Sequence, residues 1–193
     1  MMEDSEIDFI EGYLNKEQTM LEWGSGWSTA RFSTFVKKYY SIEHDEEWYN
    51  KMSEEIKQKQ LDNITYRHIE ITTPIEDLYE IDPEYVKQYS EELITDGLER
   101  QYQEYIDEVD NLGVDKFDVV LIDGRARNCC LGKVIPYLHE DSSVFIHDWH
   151  RKEYKENEFL KFFTITRFKT GIVKLKLNHG WLTCSIKSPS SSS

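Results

Sequence analysis

A glycine turn lies between an apolar segment and a helical segment near the start of the chain. Residues 20–23 are suited to a short buried strand, Gly24, Ser25 and Gly26 follow, and residues 29–38 have the pattern of a helix. Glycines let the backbone pass close to a ligand, and the free N–H groups of a helix N-terminus attract a carboxylate. The turn therefore has the chemistry of a ligand cradle, although an ordinary tight turn uses the same residue types.

An acidic residue ends the next predicted strand. Residues 39–43 form an apolar and aromatic run that closes on Glu43, and His44 follows it. A carboxylate placed about twenty residues after a glycine turn can accept hydrogen bonds from both hydroxyls of a ribose. A dinucleotide site also requires a third glycine, at the position where this chain has Thr29. The sequence therefore disfavours a nicotinamide cofactor, and with it an oxidoreductase.

Acids and histidines follow two apolar strands in the second half of the chain. Residues 117–123 end in Asp123, and residues 143–147 are followed by Asp148 and His150. Continuous apolar runs of this kind are typical of parallel strands, whose carboxyl ends meet at one edge of the sheet. A hydroxyl bound there could lose its proton to Asp148 or His150, or Asp123 and Asp148 could share Mg²⁺ or Mn²⁺. These three residues are the candidate catalytic residues, and the two acids are the candidate metal ligands.

The elements that must position these residues alternate between short apolar strands and longer helices. This alternation predicts an α/β, Rossmann-like fold with a mostly parallel seven-stranded sheet flanked by helices. Residues 75–113 are too long for a simple connection, so we expect a helical insertion there, either packed on the sheet edge or covering a substrate site. We expect one domain over residues 1–187 and a disordered serine-rich tail over residues 188–193.

Composition limits the partners and the location. The net charge of −14 opposes binding to nucleic acid and to anionic membranes, and no apolar run approaches the ~20 residues of a membrane span. Only three cysteines are present, Cys129, Cys130 and Cys184, and the acidic N-terminus has no features of a secretory signal. We therefore expect a cytoplasmic protein with a small-molecule or glycan partner, and a homodimer is left open.

Residues 22–29, 42–45 and 122–127 together resemble class I S-adenosylmethionine-dependent methyltransferases. The resemblance runs over about residues 20–149, with the motifs in matching order and spacing, and it implies S-adenosyl-L-methionine as the cofactor. The implied cofactor-binding residues are Glu22, Gly24, Ser25, Gly26, Ser28, Thr29, Glu43, His44, Asp123 and Gly124.

The resemblance also implies a role for each of these positions. Glu22 and the glycine turn would hold the methionine moiety, Glu43 would bind the ribose, and His44 would lie near the adenine. Asp123 and Gly124 would face the reacting methyl group. Metal-dependent O-methyltransferases have an acid–acid or acid–asparagine pair after the fifth strand, whereas this chain has Asp148 and Trp149, which leaves metal dependence open.

The loop after Asp123 bears on the acceptor. Methyltransferases that act on adenine or glutamine amino groups often have Asn/Asp-Pro-Pro-Tyr/Phe there, and this chain has Gly124, Arg125 and Ala126 instead. Compact chains of this pattern are similar to sugar or glycan O-methyltransferases, including those of bacteria and of large DNA viruses. If the chain is viral, the expected cytoplasmic location is the cytoplasm of the host. The implied substrate-binding residues are Arg125, Arg127 and Trp149. Salt bridges to nearby acids are the alternative role of the two arginines.

Two other functions remain open at this point. One is a small-molecule O-methyltransferase that acts on a catechol-like phenol. The other is a non-catalytic module of the same fold that binds a nucleoside or a glycan, although the presence of Gly24, Gly26 and Glu43 argues against a complete loss of cofactor binding.

Overall fold

The computed structural model describes residues 2–71 and 101–178. Over these residues the chain forms one sheet of seven strands in the order β3-β2-β1-β4-β5-β7-β6. The strands are β1 (Thr19–Trp23), β2 (Lys38–Glu43), β3 (Ile64–His68), β4 (Phe117–Ile122), β5 (Leu138–His147), β6 (Phe163–Lys169) and β7 (Ile172–Leu177).

Five neighbouring strands of the sheet are parallel. β3, β2, β1, β4 and β5 pair in parallel register, and β7 runs antiparallel between β5 and β6. This confirms the prediction of a mostly parallel seven-stranded sheet. The strand order reverses between β1 and β4, and in open α/β sheets the crevice at such a reversal, beyond the carboxyl ends of the strands, is where ligands bind.

Helices connect the strands and cover the sheet. They are α1 (Asp4–Glu11), α2 (Trp27–Phe32), α3 (Glu46–Gln58), α4 (Gln103–Asp107), α5 (Arg127–Val134) and α6 (Lys152–Lys155). The prediction of a helix over residues 29–38 is wrong in its extent. α2 begins at Trp27, directly after the glycine turn, and ends at Phe32, because a short 3₁₀ segment and an extended Val36 lead the chain into β2.

The core lies on both faces of the sheet, because successive strand residues point to opposite sides. In β1, Met20 packs with Phe32 of α2 on one face, and Leu21 and Trp23 belong to the cluster on the other face. All four side chains have no exposed surface. The apolar runs in the sequence are therefore strands buried on both faces.

Part of the predicted insertion is described. Residues 101–113 contain α4 and a 3₁₀ segment, Glu108–Leu112, and Tyr105 and Val109 from this region are buried against the sheet. Residues 72–100 lie outside the described residues, and so do the predicted tail and the predicted domain end at residue 187. No helix within residues 2–71 and 101–178 is long and apolar enough to cross a membrane.

Candidate functional site

A cleft of about 530 Å³ opens at the carboxyl ends of β1, β2, β4 and β5. Nine of the residues predicted from sequence line it: Gly24, Ser25, Glu43, His44, Asp123, Gly124, Arg125, Arg127 and Asp148. The sheet brings these residues together from four separate segments of the chain. Asp45, Glu47 and Trp48 also line the cleft, because α3 begins next to the end of β2.

The other predicted residues lie outside this cleft. Glu22 and Thr29 have no exposed surface and lie beneath the glycine turn with Ser28, and Gly26 is the N-cap of α2. Trp149 is half-buried and packs against the core. His150 lines a second, smaller cavity beside the cleft. A direct role of these residues in binding stays a prediction.

Two glycines bring the ends of β1 and β4 into contact. Gly24 has a φ of +88°, and a Cβ atom placed on it would lie 2.3 Å from the Cα of Gly124. The Gly124 N–H donates to the carbonyl of Trp23 at 2.7 Å, and the Gly24 N–H donates to the carbonyl of Ile42 at 2.9 Å. The backbone is therefore fixed and bare where it faces the cleft, as a closely approaching ligand requires.

Glu22 anchors the turn from below. Its carboxyl accepts hydrogen bonds from Thr29 Oγ1 at 2.6 Å and from Ser41 Oγ at 2.8 Å. Thr29 Oγ1 in turn accepts the Gly26 N–H at 2.8 Å, which joins the turn to the first residues of α2. Burial raises the pKa of Glu22 to about 8, although the bonds from Thr29 and Ser41 act in the opposite direction. Near neutral pH this side chain is therefore a neutral structural link.

Glu43 presents an ionised carboxylate at the end of β2. One oxygen accepts the N–H groups of His44 and Asp45 at 2.8 and 2.9 Å, and the other accepts the N–H and hydroxyl of Ser25 at 2.8 and 2.7 Å. Burial alone would raise the pKa of Glu43, but the hydrogen bonds from His44, Asp45 and Ser25 outweigh it and hold the pKa below its ordinary value. Near neutral pH, Glu22 at the end of β1 is therefore uncharged, whereas Glu43 at the end of β2 is negatively charged.

Ser25 donates two hydrogen bonds to one oxygen of the Glu43 carboxylate. Its hydroxyl contacts both Glu43 and the hydroxyl of Tyr66, the latter at 2.5 Å, and its carbonyl accepts the indole N–H of Trp48 at 2.5 Å. A diol could bond to Glu43 only by replacing the contacts from Ser25. Sequence reasoning did not find Tyr66 or Trp48, because neither lies in the glycine turn or at the strand end.

Arg127 joins the ends of β4 and β5. Nε donates to the Gly124 carbonyl at 2.9 Å, one terminal nitrogen donates to the Asp123 carbonyl at 2.7 Å and lies 3.1 Å from Asp148 Oδ2, and the other terminal nitrogen donates to the His147 carbonyl. All three nitrogens thus bond to protein atoms, and the side chain is only 8% exposed. The predicted salt-bridge alternative fits this arginine, whereas Arg125 is exposed at the rim of the cleft.

His147 lies between two carboxylates. Nδ1 is 2.7 Å from Asp123 Oδ1, and Nε2 is 3.3 Å from Glu6 Oε2 of α1. Burial alone would lower the pKa of His147, but the bond with Asp123 and the charges of Asp123, Asp148 and Glu6 outweigh it and raise the pKa. Glu6 was not predicted from the sequence, since no motif marks it and only the packing of α1 brings it here.

Asp148 adopts a left-handed backbone conformation, with a φ of +58°, directly after β5. Burial alone would raise its pKa, but the charges of Arg127, His147 and Arg151 outweigh it and lower the pKa. Asp148 is therefore an ionised carboxylate on the cleft wall. Within the described residues, no group of three or more His, Cys, Asp or Glu side chains is arranged to hold a metal ion.

No family model matches the sequence, and no curated protein matches it either. Solved structures do match. A methyltransferase-like protein of Silicibacter pomeroyi has a TM-score of 0.67 and 19% identity, over 95% of this chain and 92% of that one. A Streptococcus mutans protein assigned as a methyltransferase and solved in complex with SAH has a TM-score of 0.60 and 12% identity, over 92% of this chain and 100% of that one. The fold is that of class I methyltransferases.

A third solved structure with this fold is a methyltransferase whose acceptor is named. Precorrin-6y C5,15-methyltransferase of Geobacter metallireducens has a TM-score of 0.60 and 13% identity, over 91% of this chain and 90% of that one. At these identities the likeness concerns the fold, and a class I methyltransferase fold does not specify the acceptor. The cleft of this chain lies where that fold has its switch in strand order, between β1 and β4.

Proposed function

We propose that this chain is an S-adenosylmethionine-dependent methyltransferase that acts on a hydroxyl of a sugar or glycan. The observation that carries the proposal is the pairing of two features at the switch in strand order. The bare Gly24–Gly124 backbone contact and the ionised carboxylate of Glu43 line one cleft. Together they match the amino-acid end and the ribose end of the methyl donor.

The residues of the cleft fit this cofactor. A side chain at Gly24 would collide with Gly124, so only backbone faces the methionine end. Glu43 would accept the ribose hydroxyls in place of the Ser25 contacts, and His44 would lie near the adenine. When bound, the cofactor supplies an electrophilic methyl group on a cationic sulfur, which suits a cleft with carboxylates on its walls.

The acceptor hydroxyl must lose its proton, and the ends of β4 and β5 provide the groups for this. Asp148 is ionised, lines the cleft and can accept a hydrogen bond from the hydroxyl. His150, in the adjoining cavity, is a second candidate proton acceptor, whereas both ring nitrogens of His147 face carboxylates. The carboxylates of Asp123 and Asp148 already pair with His147 and Arg127, so a divalent cation forms no part of this proposal.

The charges favour a neutral acceptor over a nucleic acid. Five acids line the cleft, Glu43, Asp45, Glu47, Asp123 and Asp148, against two arginines, Arg125 and Arg127. The guanidinium group of Arg127 already bonds to backbone carbonyls and pairs with Asp148. The whole chain carries a net charge of −14. A polyanionic backbone is repelled by such a surface, whereas sugar hydroxyls can donate to its carboxylates. We place this activity in the cytoplasm, where the thiols of Cys129 and Cys130 would stay reduced.

Two measurements test the proposal. Calorimetry should detect S-adenosylmethionine and S-adenosylhomocysteine binding, with NAD as a negative control. Transfer of a labelled methyl group to a panel of mono- and oligosaccharides, with catechol as a comparison, should then label a sugar. Binding of NAD in place of the two sulfur compounds would overturn the cofactor assignment. Labelling of catechol and not of sugars would show that the acceptor is a phenol and not a sugar. Cofactor binding without methyl transfer to either class would favour the non-catalytic alternative.

A further inference from the structure

The second cavity beside the cleft is walled by three parts of the chain. It has a volume of about 350 Å³ and lies between the first turn of α1, the segment after β5, and the turn that joins β6 to β7. Among its lining residues are Glu3 and Glu6 of the first part, His150 of the second, and Thr170 and Gly171 of the third.

Hydrogen bonds hold these walls together. Glu6 is 3% exposed, and its Oε1 accepts the Gly171 N–H at 2.8 Å. Its Oε2 accepts the Glu3 N–H at 2.8 Å and lies 3.3 Å from His147 Nε2. The Trp149 N–H donates to the carbonyl of Gly171 at 2.8 Å. The cavity is therefore a built feature of the fold, formed where the N-terminal helix is tied to the β6–β7 turn.

The cavity and the cleft share a wall. His147 and Asp148 line both spaces, and Asp148 carries an ionised carboxylate at that boundary. Methyl transfer requires the nucleophile and the methyl group to approach within about 3–3.5 Å in line. A donor in the larger cleft and an acceptor in the smaller cavity would meet at this shared wall.

We infer that the second cavity is the acceptor site and that it takes a single uncharged sugar unit. This inference rests on the proposed methyltransferase function. The volume is near the lower end of ligand pockets, roughly 300–1,000 Å³, which suits one small ring. Its occupant would present a hydroxyl to Asp148 and His150.

The lining selects against anionic acceptors. The acids Glu3, Glu6 and Asp148 face the cavity, and none of the described lining residues is a lysine or an arginine. Arg127 and Arg151 both pair with Asp148, and the ring nitrogens of His147 are directed at Glu6 and Asp123. A phosphate or uronate group would therefore meet carboxylates without a free cation, whereas hydroxyl groups would find acceptors.

Saturation-transfer NMR on the full chain with S-adenosylhomocysteine present tests this inference. The probes are methyl α-glucoside as the uncharged sugar, glucuronate as the anionic sugar, and catechol as the phenol. We expect saturation of methyl α-glucoside alone. Thr170 is exposed and lines the cavity, so an indole at this position should take up part of its volume. Thr170→Trp should therefore weaken methyl α-glucoside binding roughly ten-fold or more and leave S-adenosylhomocysteine affinity within about two-fold.

A charge reversal supplies the matched comparison. Glu3→Lys should let glucuronate bind, while Glu17→Lys makes the same change at an exposed acid that does not line the cavity and should not. Equal behaviour of the two lysine variants, an unaffected Thr170→Trp variant, or saturation of catechol in place of sugar would overturn the inference and leave the cofactor assignment standing. Absence of S-adenosylhomocysteine binding to the wild-type protein would instead refute the proposed function, and the acceptor-site inference would fail with it.

Discussion

Asp123 and His147 form a hydrogen bond of 2.7 Å that joins the ends of two neighbouring strands, β4 and β5. Because the second ring nitrogen faces the buried Glu6, the imidazole is held between two carboxylates from distant parts of the chain. The ring is therefore favoured in its protonated form, and the charge of His147 becomes part of the stability of the fold.

The first prediction concerns the pH dependence of this stability. The folded-state pKa of His147 is raised above the ordinary value of 6.5, so its contribution is fully present below that value and is lost as pH rises through the folded-state pKa. His147→Asn should therefore lower the free energy of unfolding by about 1.5–3 kcal/mol at pH 6 and by less at pH 9. Urea unfolding at the two pH values measures this difference.

A second histidine provides the control for that experiment. His139 pairs with Asp118 at 3.1 Å, but both side chains are about one-third exposed. His139→Asn should change the free energy of unfolding by less than about 1 kcal/mol, since exposed ion pairs contribute little. An effect of His147→Asn that is the same at pH 6 and pH 9 would refute the role of its charge.

The second prediction separates two glutamates at neighbouring strand ends. Glu43→Gln puts an amide where an ionised carboxylate accepts four hydrogen bonds, so S-adenosylhomocysteine affinity should fall roughly ten-fold or more, equivalent to about 1.5–3 kcal/mol. Glu22→Gln is the matched variant, because burial keeps Glu22 neutral near pH 7 and the amide resembles the neutral acid. Its affinity by calorimetry should stay within about two-fold. Equal losses in the two variants would show that Glu43 is not the ribose acceptor.

Glu22 also gives a prediction about the pH dependence of stability. Its folded-state pKa of about 8 lies above the ordinary 4.5, so the wild-type protein should lose stability as pH rises from 4.5 through 8. Glu22→Gln removes this titration, and its urea midpoint relative to wild type should therefore rise between pH 6 and pH 9. A constant difference between the two midpoints would contradict the neutral state of the buried carboxyl.

The third prediction tests the contact between the two glycines. Gly24→Ala adds a Cβ that would lie 2.3 Å from backbone at Gly124, at a positive φ, so we expect a loss of at least about 4 kcal/mol or no folded protein. Gly113→Ala is also a change at a positive φ, +66°, but no atom lies within 4 Å of the added Cβ. It should cost about 1–2 kcal/mol and leave S-adenosylhomocysteine affinity unchanged. Similar unfolding midpoints for the two variants would contradict the close approach of the ends of β1 and β4.

The fourth prediction distinguishes the two arginines after β4. Arg127→Lys cannot reproduce bonds to three carbonyls and Asp148, so the free energy of unfolding should fall by about 2–4 kcal/mol. Arg125→Lys, at the exposed rim, should stay within about 0.5 kcal/mol of wild type. Thermal unfolding of both variants decides the matter, and a stable Arg127→Lys protein would show that the two strand ends do not depend on this residue.

The arrangement of the cleft could be predicted from sequence because it follows from local pattern and strand direction. The apolar runs before Gly24, Glu43, Asp123 and Asp148 indicate buried parallel strands, and the ends of such strands meet at one edge of the sheet. The glycine spacing and the acid at the end of β2 then place a turn without side chains beside a carboxylate. These features depend on residues close together along the chain, so the sequence alone determines them.

Tertiary structure decided the roles of individual side chains at that edge. Glu22 and Glu43 have equal standing as strand-end acids in the sequence, yet one is sealed under the turn and neutral while the other is ionised on the cleft wall. Glu6 reaches His147 only because α1 packs against the β6–β7 turn. Charge state and pairing depend on the burial and the partners that distant segments create, and no local pattern of residues contains that information.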